Sequence, residues 1–324
     1  MKKSLDVTEI TDFLKANYMI KLPEFDYSKV MISLKNGDES ADRVSIKDIQ
    51  MHFKEVFGYS PSRSIISKII QSPDRMYTYN PIHDYIYSLH GKYAGVSHID
   101  LLCCFLKCRE FDEENPTYYS LQRASDIIRK WMVSSIAMWF DSIPNEVMLT
   151  FVCQDELIEI GNLCQFIIPL QLIDFSIFAR KSDIRFNPED AYTRHPFVIH
   201  DELAGINKGS IDIWSIDSWK MAMSNSELLT KRRGEEFAIK HKRIAAPIAT
   251  SCGNKNGFLL RSFGFRRFGC IEIESIDNAY VTTVDVDQMW AEALMLYKSS
   301  EQTSKFNPED FLHFEMYNAK YRIQ

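Results

Sequence analysis

What most constrains this chain is the spacing of its apolar runs after residue 145. Val147–Cys153 (VMLTFVC), Pro196–His200 (PFVIH), Ile244–Ser251 (IAAPIATS) and Phe268–Ile273 (FGCIEI) are each of strand length and almost continuously apolar. Helical patterns lie between and after them, at Ser218–Ser224 and Asp285–Lys298. A strand without polar alternation is one covered on both faces. Such strands, alternating with helices, predict an α/β fold with a mainly parallel sheet over residues 145–280.

The residues before this region read as short helices with one strand-like stretch. Thr8–Asn17 predicts a helix, and Tyr27–Leu34 alternates like a strand. Ser45 with Asp48 forms a capping signal for a helix through Phe57, and Asn80-Pro81 opens another that stops at Gly91. His98–Glu110 carries Leu101, Leu102, Phe105 and Leu106 at helical spacing; Cys103, Cys104 and Cys108 on the same segment read as core. The acidic run Arg109–Asn115, followed by Pro116, predicts a domain boundary. Beyond it, Tyr118–Phe140 predicts a long helix with Ile127, Ile128, Trp131, Met132, Ile136 and Trp139 as its apolar stripe. FNPED occurs at 186–190 and 306–310, each a helix start with Asn as cap and Pro at the first helical position. The expected organisation is a mostly helical domain over 1–110, an α/β domain over 117–300 and a C-terminal helix within 301–324.

Composition removes several classes. No run approaches a membrane span, and the N-terminus MKKSLDVTEI lacks the apolar stretch of a secretory signal. Seven cysteines without a C-x-x-C pair suit a reducing cytoplasm. His195 and His200 flank the second apolar run, but five-residue spacing on a strand sends them to opposite faces, so no metal site is expected. Net charge is −6, yet the window 231–267 holds ten basic residues and two acids, a local charge of +8 against −14 for the rest. That asymmetry predicts an anionic partner, with DNA the expected one and Arg232, Arg233, Lys240, Lys242 and Arg243 the candidate phosphate contacts. Its plain alternative is a solvated basic face. Phe263 and Phe265, interleaved with the arginines, are either core residues or platforms for base stacking.

Three further elements carry possible chemistry. The run FVIH ends in Asp201-Glu202, IATSCGN ends in the polar Asn254, and Gly264-Phe265-Arg266-Arg267-Phe268 places paired guanidinia at a strand entrance. Together with NPIHDYIYSL (80–89), RKWMVSSIA (129–137), NEVMLTFV (145–152), Trp219-Lys220 and DVDQMWAEAL (285–294), these elements resemble the virulence-associated protein E family of P-loop ATPases. That family is related to phage and plasmid primase–helicases and is carried by mobile elements. The resemblance implies a P-loop NTPase-like αβα sandwich. In it, Asp201 would hold Mg²⁺, Glu202 would polarise water, Asn254 would sense the γ-phosphate, and Arg266 and Arg267 would clamp phosphate or reach a neighbouring subunit.

The phosphate loop departs from the family pattern. In CQDELIEIGNLCQFIIP the glycine survives as Gly161, but Asn162 stands at the lysine position and Leu163 at the Ser/Thr position. Glu156 takes the early glycine position, with Asp155 and Glu159 beside it. A working loop needs glycines for close backbone approach, a lysine for the β/γ-phosphates and a hydroxyl for Mg²⁺. A carboxylate about 4 Å from a phosphate charge costs on the order of 4 kcal/mol. The chain is therefore expected to hydrolyse no ATP and to need no cofactor. Two roles follow: a nucleic-acid-binding or ring-forming accessory in DNA replication, or a regulatory partner in a mixed ring with an active paralogue. An active ATPase with an atypical loop, which would bring back ATP and Mg²⁺, is the alternative. So is a purely structural role in which the acids and arginines pair with each other.

Overall fold

A computed structural model describes residues 6–35, 44–109, 120–155, 158–179, 188–203, 216–232, 236–252, 257–259, 261–299 and 305–323. The chain divides into two units, Met1–Pro81 and Ile82–Gln324.

In the first unit, Asp6 caps the helix Val7–Asn17 by accepting the Thr8 N–H. Ser45 and Asp48 form a reciprocal capping box for the helix Ile46–Phe57, which ends on Gly58 in the left-handed region. Ser62 caps the helix Arg63–Ile70. Strands β1 (Tyr18–Pro23), β2 (Met31–Leu34) and β3 (Tyr77–Tyr79) form a sheet in the order β2-β1-β3, with β1 antiparallel to β2 and parallel to β3. The expected strand at 27–34 is shorter, because residues 27–29 turn before β2 begins. The core gathers Phe13, Leu14, Phe53, Ile66 and Ile69.

The second unit is built on a six-stranded sheet. Its strands are β4 (Leu106–Cys108), β5 (Met148–Cys153), β6 (Ile177–Ala179), β7 (Phe197–His200), β10 (Ala246–Cys252) and β11 (Phe268–Ile276), in the spatial order β4-β11-β5-β10-β7-β6. All neighbours are parallel except the edge strand β4. Every residue of β5 and β7 is buried, as strands covered on both faces require. Strands β8 (Glu227–Thr230) and β9 (Ile239–Lys242) form a separate antiparallel pair just before β10.

The long helix Ser120–Asp141 buries all six residues of its apolar stripe. Its indoles are fixed by polar handles: Trp131 Nε1 donates to the Pro247 carbonyl at 3.2 Å and Trp139 Nε1 to that of Ile244 at 2.7 Å. Trp139 also stacks on Trp290 at 5.3 Å between centroids. The second FNPED segment opens the helix Pro308–Asn318 with Asn307 in a capping box, as its sequence predicts.

Two expectations change. His98–Glu110 is not one helix: it ends at Cys104, and β4 follows, satisfying the open edge of β11. This pairing ties residues before the acidic run to the sheet, and the chain divides at Pro81 rather than at 110–117. Of the three cysteines on that segment, only Cys103 is buried, while Cys104 is exposed.

Candidate functional site

The carboxyl ends of β5, β10 and β7 lie side by side, with Cys252 opposite Cys153 and Ala249 opposite His200. In an open parallel sheet this is the edge where ligands bind. Asp201 and Glu202 follow β7 directly, and Glu202 takes a positive φ of 64°. For a side-chain-bearing residue that conformation costs roughly 1–2 kcal/mol, so something must hold it. Thr250 does so: its hydroxyl accepts the Glu202 N–H at 2.9 Å and donates to Asp201 Oδ1 at 3.2 Å. The Cys252 N–H in turn donates to Glu202 Oε2 at 3.1 Å. The two acids are thus positioned by strand β10.

Thiols surround these acids. The Cys153 and Cys252 sulfurs lie 2.7 Å apart. That hydrogen bond, burial and the nearby Glu202 and Asp201 push the Cys252 thiol well up. Burial, with Asp201 nearby, raises Cys164 as well. Behind them His200 is fully buried, with Nε2 2.9 Å from the Tyr192 hydroxyl, and burial pushes its pKa down to about 3. It is a neutral core imidazole. Among the described residues no group of three or more His, Cys, Asp or Glu side chains is arranged to hold a metal.

The segment after β5 does not fit a triphosphate. Gly161, Asn162 and Leu163 fall in the short helix Ile160–Phe166, and Leu163 is fully buried in the core, where it supplies no oxygen for a metal. The Asn162 amide bonds the Glu159 carboxylate. The backbone is also closed on itself: the N–H groups of Ile158, Ile160 and Asn162 donate to the carbonyls of Asp155, Ile158 and Glu159. A phosphate cradle needs such donors turned outward. Glu156, like Asn254 and Arg233, lies outside the described residues.

The paired arginines sit at the other end of the sheet. They precede Phe268, which pairs with Met148 at the start of β5, whereas the acids follow the end of β7. Strand rise and spacing separate the two groups by on the order of 20 Å. The structure therefore does not bring Arg266 and Arg267 to Asp201 and Glu202 within one chain, either as a clamp or as ion pairs. The turn itself is built firmly. Asn318 Nδ2 donates to the carbonyls of Phe265 at 2.8 Å and Phe268 at 2.6 Å, and Gly264 has a φ of 79°. Arg267 donates to the Phe263 carbonyl at 3.3 Å and approaches Ser224 Oγ at 3.4 Å; burial and the adjacent Arg266 lower its pKa. Arg266 is exposed.

The basic window divides in the same way. Arg243 is 0% exposed and donates to the carbonyls of Met223 (2.7 Å), Asn145 (2.8 Å) and Ala245 (3.3 Å). It is a core cation, its pKa pushed down to about 10 by burial, and not a phosphate contact. Charge counting along a sequence cannot see that this residue turns inward at the entrance to β10. Arg232 donates to the Thr193 carbonyl at 3.1 Å and Lys242 to that of Trp139 at 2.6 Å, so both are tied to the fold. Among the described candidates Lys240 is an outward cation, its side chain 74% exposed and 3.9 Å from Glu227. Phe263 and Phe265 are buried, Phe263 edge-on to Trp219, which leaves neither open to a base. Among the described rings of the window Phe237, just before β9, is exposed, at 69%; Ile239 and Leu229 on the β8–β9 pair are exposed as well. The position of Phe237 within the basic window was the only sequence signal for it.

Residues 184–322 match the virulence-associated protein E-like domain, the family that the sequence motifs resemble. No curated protein matches the chain. Among solved structures, "The apo structure of NrS-1 C terminal region (305-718)" superposes with a TM-score of 0.50 at 14% identity, covering 98% of this chain and 76% of that one. A second form of the same region, "The A form apo structure of NrS-1 C terminal region-CTR", gives a TM-score of 0.48 at 14% identity over 97% and 75% of the two chains. Among the described residues no helix is long and apolar enough to cross a membrane.

Proposed function

We propose that this chain, which carries a virulence-associated protein E-like domain, is a non-hydrolysing P-loop NTPase-like protein that handles nucleic acid in the replication of a mobile element. The observation that carries the reading is the closed segment 158–162. The N–H groups of Ile158, Ile160 and Asn162 donate to carbonyls within 155–159, its lysine position is Asn162, and its hydroxyl position is the buried Leu163. The sheet supports the P-loop part of the proposal: β10 lies between the strand that leads into this segment and the strand that ends in Asp201-Glu202. A triphosphate with its metal spans that gap of roughly 10 Å. The residues present do not fit ATP and Mg²⁺, and no hydrolytic step is assigned to them.

The nucleic-acid part rests on the β8–β9 pair. Phe237, just before β9, and Lys240, within it, expose a ring and a cation three residues apart on the same arm of the pair. An aromatic surface next to a cation is the means by which sequence-tolerant proteins hold single strands. Calorimetry with Mg²⁺-ATP, paired with anisotropy on a labelled single strand, tests both parts. No heat with ATP and a salt-dependent DNA affinity are expected. Mg²⁺-ATP turnover that vanishes in Asp201→Ala would overturn the first part, and undetectable DNA binding at about 50 mM salt the second.

A second reading is favoured by one observation, the distance between the arginine pair and the chain's own acids. Arg266, exposed at the far end of the sheet, is placed to serve a neighbour's site in a ring containing an active paralogue. Titrating this chain into such a paralogue and finding its ATPase rate unchanged would remove that reading.

A further inference from the structure

In the first unit, two helices are joined by a very short turn. Ile46–Phe57 ends at Gly58 in the left-handed region with a φ of 77°, and Ser62 already caps Arg63–Ile70, so only Tyr59, Ser60 and Pro61 lie between the caps. The turn is fastened from both sides. Gln50 Nε2 donates to the Pro61 carbonyl at 2.8 Å, and Arg63 Nε donates back to Gln50 Oε1 at 3.1 Å. The Tyr59 hydroxyl bonds Glu9 on the first helix. Ile49 and Phe53 of one helix and Ile66, Ile69 and Ile70 of the other share the same core. Two helices locked through a three-residue turn that follows a glycine cap are the framework of a helix-turn-helix.

The outward face of the second helix has the chemistry such a framework requires. Its buried positions are Ile66, Ile69 and Ile70. The remaining polar positions, Arg63, Ser64, Ser67, Lys68 and, just past the end, Gln71, recur at helical spacing on the opposite side; four of them are exposed and Ser67 is half-buried. Each can donate a hydrogen bond, two are cationic, and none is a carboxylate. Arg and Lys match the acceptors on guanine, Gln matches the adenine pair, and Ser serves either. Of the two acids on the preceding helix, Asp48 is engaged in the capping box with Ser45 and Glu55 is exposed.

We propose that the helix Arg63–Ile70 reads duplex DNA, entering the major groove with Arg63, Ser64, Ser67, Lys68 and Gln71 facing the base edges. This goes beyond the single-strand role proposed for the β8–β9 hairpin and does not depend on it. The two place a sequence-reading element and a sequence-tolerant element in different units of one chain.

The test is selection of the full-length chain on duplexes with about 20 random base pairs, roughly two helical turns. The wild type, R63A/K68A/Q71A and F237A/K240A are selected in parallel. The wild type and F237A/K240A are expected to enrich the same short sequence, and R63A/K68A/Q71A to lose at least about tenfold of that enrichment. Because Arg63→Ala also removes the bond to Gln50 that fastens the turn, K68A/Q71A is selected beside it: it leaves that bond intact, should keep the wild-type melting temperature and the affinity for a labelled single strand, and should lose enrichment in the same direction. Three results would overturn the proposal: no sequence enriched by the wild type, equal enrichment by the triple variant, or loss in F237A/K240A alone.

Discussion

The Glu202 N–H donates to the Thr250 hydroxyl at 2.9 Å, and this one bond holds an acidic residue in a left-handed backbone conformation at the mouth of the sheet. The same hydroxyl donates to the Asp201 carboxylate, while the Glu202 carboxylate takes the Cys252 N–H, so one strand holds both acids and Thr250 ties the Asp201 carboxylate to the Glu202 backbone. Thr250→Val removes both bonds and leaves the Glu202 N–H without its partner. A loss of about 1–3 kcal/mol in urea unfolding is expected, with Thr250→Ser close to wild type. Equal stabilities for the two variants would show that the anchor does not hold the acids.

Arg243 gives a prediction opposite to the one its position in the basic window suggests. Arg243→Met would leave the carbonyls of Met223, Asn145 and Ala245 without their donor. It should cost about 3–5 kcal/mol of stability. A variant of wild-type stability with weakened DNA binding would return Arg243 to the surface role.

Lys240 and Phe237 separate by the kind of DNA effect they have. Lys240→Ala should lower the slope of log affinity against log salt by roughly 0.7 on a single strand, the loss of one phosphate contact. Phe237→Ala should weaken binding by about 1–3 kcal/mol while leaving that slope unchanged, because stacking releases no counterion. Anisotropy titrations at several salt concentrations distinguish the two, and identical behaviour of the variants would contradict the division of labour.

His200 makes stability pH-dependent in a defined window. Burial holds its folded-state pKa near 3, below the ordinary 6.5. Above pH 6.5 neither state binds the proton, so the imidazole contributes no penalty. As pH falls below 6.5 only the unfolded chain takes a proton, and stability drops progressively until about pH 3. The full loss is on the order of 5 kcal/mol. Glu272 adds to it at lower pH. Burial alone would raise that carboxyl, but Lys320, Tyr321 and Arg109 more than offset it, so the stability it contributes is lost as pH falls below its ordinary 4.5. Unfolding between pH 6.5 and 4.5, above the carboxylate range, isolates the histidine. His200→Gln should flatten the curve there, and an unchanged slope would reject the assignment.

The sheet was readable because its buried strands are short, apolar and set between helices, and Asp201-Glu202 could be placed because acids ending such a strand must lie at its carboxyl edge. Strand β1 was not readable: it follows the first helix with no glycine or proline to mark the change, and Tyr18 is both helix cap and strand start. Strand β4 was hidden for another reason. Leu101, Leu102, Phe105 and Leu106 fit a helix locally, and only the open edge of β11 pulls residues 106–108 into a strand. Within the site, charge counting found the basic window but not its sorting, since Arg243 and Lys240 look alike until the turn between strands sends one inward and the other out.

The internal bonds of Ile158, Ile160 and Asn162 bear on what it would take to build a phosphate loop in this segment. Substituting lysine at position 162 and serine at 163 would restore the letters of a phosphate loop but not its shape. The new serine would sit in an apolar interior, and the amides would still point at their own carbonyls. A cradle here would need the whole segment to refold together, which single substitutions made one at a time do not supply.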